Sequence, residues 1–137
     1  KEQMKIASEM NRPISLHCVG AWEQLFTLLK EHKGERFRFM LHSYSGSSDM
    51  VKFLTSLGGY FSFSASLILS KYKHVTTVLK TIPKDRLMFE SDSPDIATNT
   101  SSIVDTIKAA SHVLSMPTEQ LAEQSYNNSI KFFKERS

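Results

Sequence analysis

The chain has 137 residues, 40% hydrophobic and 23% charged, an ordinary balance for one globular unit with room for a core. Its net charge of +3 is compatible with an anionic substrate without requiring one, and no apolar run approaches the ~20 residues of a membrane span. The sole cysteine, Cys18, excludes an internal disulfide framework and suits a reducing compartment.

The opening stretch "KEQMKIASEM" reads as a helix already under way, so the chain is expected to begin partway into something larger. "PISLH" (13–17) is a short β-like run. In the following "AWEQLFTLLKEH", Trp22, Leu25, Phe26 and Leu29 repeat at the spacing of one buried helix face. The second strand, "RFRFMLH" (36–42), precedes a helix with Met50, Phe53, Leu54 and Leu57 on one side and a glycine stop. The third, "GYFSFS" (59–64), precedes "YKHVTTVLKTIP", whose buried positions are Val75, Val78, Leu79 and Ile82, with Pro83 beyond the end. The fourth, "RLMFE" (86–90), runs straight into the acidic "SDSPD", where Pro94 starts the loop away from the sheet. A Ser/Thr/Asn-rich loop follows, then two helices at about 101–115 and 118–133. This alternation predicts crossover connections and a parallel sheet.

Read with period two, the strands have unlike faces. One carries Ile14, Leu16, Cys18, Phe37, Phe39, Leu41, Phe61, Phe63, Leu87 and Phe89. The other carries Ser15, His17, Arg38, Met40, His42, Tyr60, Ser62, Ser64, Met88, Glu90 and Asp92. An open sheet covered on both sides is apolar on both. A greasy outer face and an inner face polar toward the strand ends predict a (β/α) TIM-barrel type of α/β fold. Four βα units make half of one, since a whole barrel needs about 250 residues. The alternative is a small open α/β sheet.

Three strands end in a metal-type ligand on the polar face: His17, His42 and Asp92. Two imidazoles and a carboxylate suit zinc or a similar divalent ion, and barrel sites sit at the C-terminal strand ends. Each alone is more often a hydrogen-bonded core residue; three at matching strand ends favour a site. Asp92 is also the candidate catalytic base, and Glu90, one layer deeper, a supporting residue. The turn through Ser45, Gly46 and Ser47, with Ser47 or Ser48 capping the next helix, is a candidate phosphate contact. An ordinary capped loop explains it equally well. His32, His74 and His112 fall within helical patterns, Cys18 and Trp22 read as packing, and Arg12, Lys33, Arg36 and Lys84 as a solvated face at the opposite rim.

In this order the motifs resemble the C-terminal half of the TatD family of metal-dependent deoxyribonucleases. "QMKIASEMNRPISLH" is similar to that family's helix and strand ending in a metal-binding histidine, here His17. "LHSYSGS" resembles its "HCFSG" segment, with His42 as second ligand. "GGYFSFSA" resembles its next strand, and "IPKDRLMFESDSP" its "IP-DRLL-ETD-P" signature, with Asp92 as acidic ligand and base. "LAEQSYNNSIKFF" resembles its closing helix, with Asn128 before the aromatic end.

The resemblance implies a TIM barrel with a two-metal site holding divalent ions (Mg, Mn or Zn). It also implies a DNA substrate and exonucleolytic hydrolysis of phosphodiester bonds by metal-activated water. The chain has no H-x-H pair, has Val19 where the family carries arginine, and lacks the family's arginine and glycine segment in "DIATNTSS". The N-terminal half of the barrel is expected upstream or from another chain. Alternatives are a barrel hydrolase of a small amide or ester, and a non-catalytic module without the first metal site. No membrane partner is expected, and with no visible address the cytoplasm is the default.

Overall fold

A computed structural model of the chain describes residues 1–34, 38–68, 73–92 and 102–134. Arg36, Phe37, Pro94 and the Ser/Thr/Asn-rich loop lie outside the described residues. Four strands form one parallel sheet in the order β1 (Ile14–Leu16), β2 (Phe39–Leu41), β3 (Tyr60–Ser64), β4 (Leu87–Glu90). Each crossover steps one strand onward in the same direction. That is the winding of a barrel; a doubly wound open sheet reverses direction at a switch point. The arc is therefore a partial TIM barrel, in which β1 and β4 are the outer strands.

The described helices are α1 (Glu2–Glu9), α2 (Trp22–Glu31), α3 (Ser48–Ser56), α4 (Ala65–Ile68), α5 (Lys73–Thr81), α6 (Ile103–Leu114) and α7 (Thr118–Lys134). Every periodic stretch in the sequence forms a helix. The four-residue α4 is an addition, too short to show a period, and directly continues β3. Strands β1 and β2 are shorter than predicted, so His17 and His42 are the first residues beyond them.

The two sheet faces divide the core. Phe39, Leu41, Phe61, Phe63 and Leu87 are buried on the outer face against Leu29 of α2, Leu54 of α3, Leu79 of α5 and Ala110 of α6. Burying each such side chain contributes about 1.5–3 kcal/mol, so this layer carries most of the hydrophobic stabilisation. On the inner face Met40, Tyr60 and Met88 form a smaller cluster with Phe132 of α7. The inner face is therefore apolar low down and polar only near the C-terminal strand ends, where the functional candidates stand.

Two side chains fix the frame around those ends. Tyr44, 1% exposed, meets Trp22 and Phe61 edge-on at ring separations of 5.5 and 5.0 Å, and its hydroxyl donates to the Ser47 carbonyl at 2.8 Å. Burial pushes its hydroxyl pKa well above the usual range. Asn128, fully buried in α7, donates to the carbonyls of Lys84 and Leu87 at 2.7 Å each and accepts from Gln124 at 3.0 Å. These bonds anchor α7 to the start of β4. Cys18 is half-buried, and Trp22 is a partly buried neighbour of the core. No described helix is long and apolar enough to cross a membrane.

Candidate metal centre

Parallel pairing sets the candidates side by side. The His42 amide donates to the Leu16 carbonyl at 2.9 Å, which levels the ends of β1 and β2. The rings of His17 and His42 then lie 5.5 Å apart. On the far side of β3, Ser64 pairs with Glu90, so β4 delivers its carboxylates to the same rim.

His42 is the centre of the group. Its Nδ1 lies 2.6 Å from Glu90 Oε2, and its Nε2 lies 3.1 Å from Asp92 Oδ1. The three side chains are 26, 16 and 18% exposed, so water screens them only in part. Glu90 also accepts from Ser62 Oγ at 2.6 Å, from the Ser43 amide at 2.9 Å and from Ser43 Oγ at 3.0 Å. Thr106 of α6 donates to the Glu90 carbonyl at 3.2 Å and ties down the last residue of β4.

The backbone is bent to make this possible. Ser43 and Asp92 both have left-handed φ values, 46° and 56°. Such values are uncommon in residues other than glycine and concentrate at functional sites. At Ser43 the turn aims amide and hydroxyl together at Glu90. At Asp92 it follows the end of β4, so the strand's period-two rule no longer applies there. The two carboxylates meet one imidazole from its two ends instead of lying in a row.

The donor set fits a divalent ion at its outer end. Two donors sharing an ion at ~2.0–2.2 Å stand roughly 3.0–3.5 Å apart, depending on the coordination angle. The Nε2–Oδ1 separation of 3.1 Å falls in that range. One imidazole nitrogen and one carboxylate oxygen suit zinc or manganese, and the oxygen alone magnesium. His17 stands beside the pair and is exposed. Among the described residues, no three His, Cys, Asp or Glu side chains converge closely enough to enclose an ion by themselves.

The turn after His42 has a packing explanation. A Cβ on Gly46 would stand 2.6 Å from the Tyr44 hydroxyl oxygen and 2.7–2.8 Å from ring carbons. Ser47 occupies the N-cap position of α3 without a side-chain capping bond. Ser45 and Ser47 are exposed and line an open cleft of about 400 Å³ with His74, Thr77 and Val78 of α5. Sequence reasoning assigned no role to Ser43, Ser62 or Thr106; the period placed Ser62 on the right face, but only register shows which side chain it meets.

A family model described as "TatD related DNase" matches residues 1–134. The chain is 33% identical over 94 residues to the uncharacterized metal-dependent hydrolase YabD of Bacillus subtilis (strain 168), covering 69% of this chain and 37% of that protein. It is 26% identical over 141 residues to an uncharacterized metal-dependent hydrolase of Buchnera aphidicola subsp. Baizongia pistaciae, covering 97% and 53%. Among solved structures, the TatD homolog YJJV of Escherichia coli K12 superposes with a TM-score of 0.85 at 21% identity, covering 98% of this chain and 54% of that one. The chain thus spans about half, or less, of the length of the relatives it matches.

Proposed function

The chain belongs to the family of TatD related DNases, and from that premise we propose that it forms the C-terminal half of a metal-dependent hydrolase that cleaves phosphodiester bonds in DNA, working exonucleolytically. The observation that carries this reading is the pair His42 Nε2 and Asp92 Oδ1, 3.1 Å apart at the C-terminal rim of a barrel-type sheet. His42 and Asp92 would hold one divalent ion, with His17 beside them as a further ligand. Bound there, the ion supplies an activated water and polarises a phosphoryl oxygen.

The protein's own groups do the rest. Asp92 takes the proton from the attacking water on the oxygen facing away from His42. Glu90 supports by holding the imidazole. The Ser45–Gly46–Ser47 turn, three residues beyond His42, contacts a phosphate of the substrate. The remaining ligands come from an N-terminal half, upstream or on another chain; this accords with relatives about twice as long and with no three described ligands converging. The place of work is the cytoplasm.

The test is DNA hydrolysis by the full-length protein with Mg²⁺, Mn²⁺ or Zn²⁺, alongside small amide and ester substrates. Chelation and Asp92→Asn each abolish hydrolysis of DNA in this reading. Activity indifferent to both would overturn it, and turnover of the amide or ester alone would move the substrate class.

A further inference from the structure

We propose that Ser43, Ser62 and Glu90 form a positioning cradle that fixes which nitrogen of His42 faces the ion. This rests on the metal reading above and adds to it the tautomer of the ligand and the role of three residues.

The argument is a count of lone pairs. An ionised carboxylate only accepts, and has about four lone-pair sites on its two oxygens. Four donors fill those of Glu90. Oε2 takes His42 Nδ1 and Ser62 Oγ, both at 2.6 Å. Oε1 takes the Ser43 amide at 2.9 Å and Ser43 Oγ at 3.0 Å. No direction is left for an ion, so Glu90 is a positioning residue and not a ligand. Because the partner only accepts, Nδ1 carries the proton. Nε2, the nitrogen beside Asp92, is then the one that would ligate an ion; without an ion it too faces an acceptor, so the diagnostic of the cradle is the proton on Nδ1.

Glutamine at position 90 breaks this logic in a way that depends on direction. Its amide has one accepting end and one donating end. The Ser43 N–H belongs to the backbone and cannot rotate away. If the accepting end faces Ser43, the donating end faces Nδ1, which must give up its proton and accept. The proton then sits on Nε2 and blocks the metal side. If the amide is reversed, two donors oppose each other at Ser43.

The experiment is ¹⁵N-histidine NMR of the full-length protein, with and without Zn²⁺ alone, in the unsubstituted form, Glu90→Gln and Ser62→Ala. The expected result is a His42 Nδ1–H in both states and a zinc-induced shift at Nε2. Zinc binding weakens about 10- to 100-fold in Glu90→Gln, the usual effect of removing such a support. Ser62→Ala, which keeps Glu90 and removes one donor, weakens it in the same direction by less. A purely structural role for Glu90 lowers the melting temperature without moving the proton.

An Nδ1 without a proton in the unsubstituted protein overturns the cradle. So does a Glu90→Gln variant with the original tautomer and undiminished zinc affinity. If zinc moves no His42 signal in the full-length protein, the metal reading fails, and the presence or absence of the Nδ1 proton in the zinc-free protein still decides the cradle.

Discussion

Tyr44 and Gly46 illustrate how one buried side chain constrains its neighbours. The Tyr44 ring occupies the space a Cβ at position 46 needs. Gly46→Ala is therefore expected to cost about 1–3 kcal/mol, read as a lower urea midpoint with an unchanged slope. The Tyr44 hydroxyl has a pH signature as well. Unfolded, it ionises near its usual value of 10.0; folded, burial keeps it neutral to higher pH. The unfolded chain releases this proton first, so the contribution is fully present below pH 10 and is lost as pH rises above it. Above about pH 10 the melting temperature should fall more steeply in the unsubstituted protein than in Tyr44→Phe. Residue chemistry was partly legible in advance. Strand ends put His42 and Asp92 at one rim. The convergence of Glu90, Ser62 and Ser43 was not legible, because periodicity tells which side a residue takes and says nothing of its partner two strands away.

At the scale of elements, hydrophobic spacing located α2, α3 and α5, since each turns one apolar stripe toward the sheet. Strand limits were less legible: β1 and β2 each keep three residues, and pairing sets where they stop. The joint between α7 and β4 depends on Asn128. Removing its amide leaves the Lys84 and Leu87 carbonyls without their buried donor. Asn128→Ala is expected to destabilise the chain by about 2–4 kcal/mol in urea unfolding. Because the same strand carries Glu90, the substitution should also broaden the His42 NMR signals, whereas Gly46→Ala should leave them sharp.

For the molecule as a whole, the arc ends at β1 on one side and β4 on the other. Ser15 of β1 and His17 just beyond it are exposed. Unpaired strand edges invite association. Sedimentation of this chain alone should show mass rising with concentration, and Ser15→Lys should reduce it, because an edge lysine discourages pairing. Native-state hydrogen exchange should be fastest in β1 and slowest in β2 and β3, which are flanked on both sides. The barrel character was legible from the unlike sheet faces. The one-way order of the strands was not, because it is a property of crossovers.

The left-handed backbone at Asp92 governs how the residue can be interrogated. Asparagine is comfortable in that conformation, so Asp92→Asn removes the charge and leaves the turn intact. A β-branched replacement such as Asp92→Val would oppose the turn itself. Loss of function in Asp92→Val would then mix a moved chain with a missing carboxylate. Differences between the two variants measure how much of the centre depends on shape, and the asparagine variant alone measures the charge.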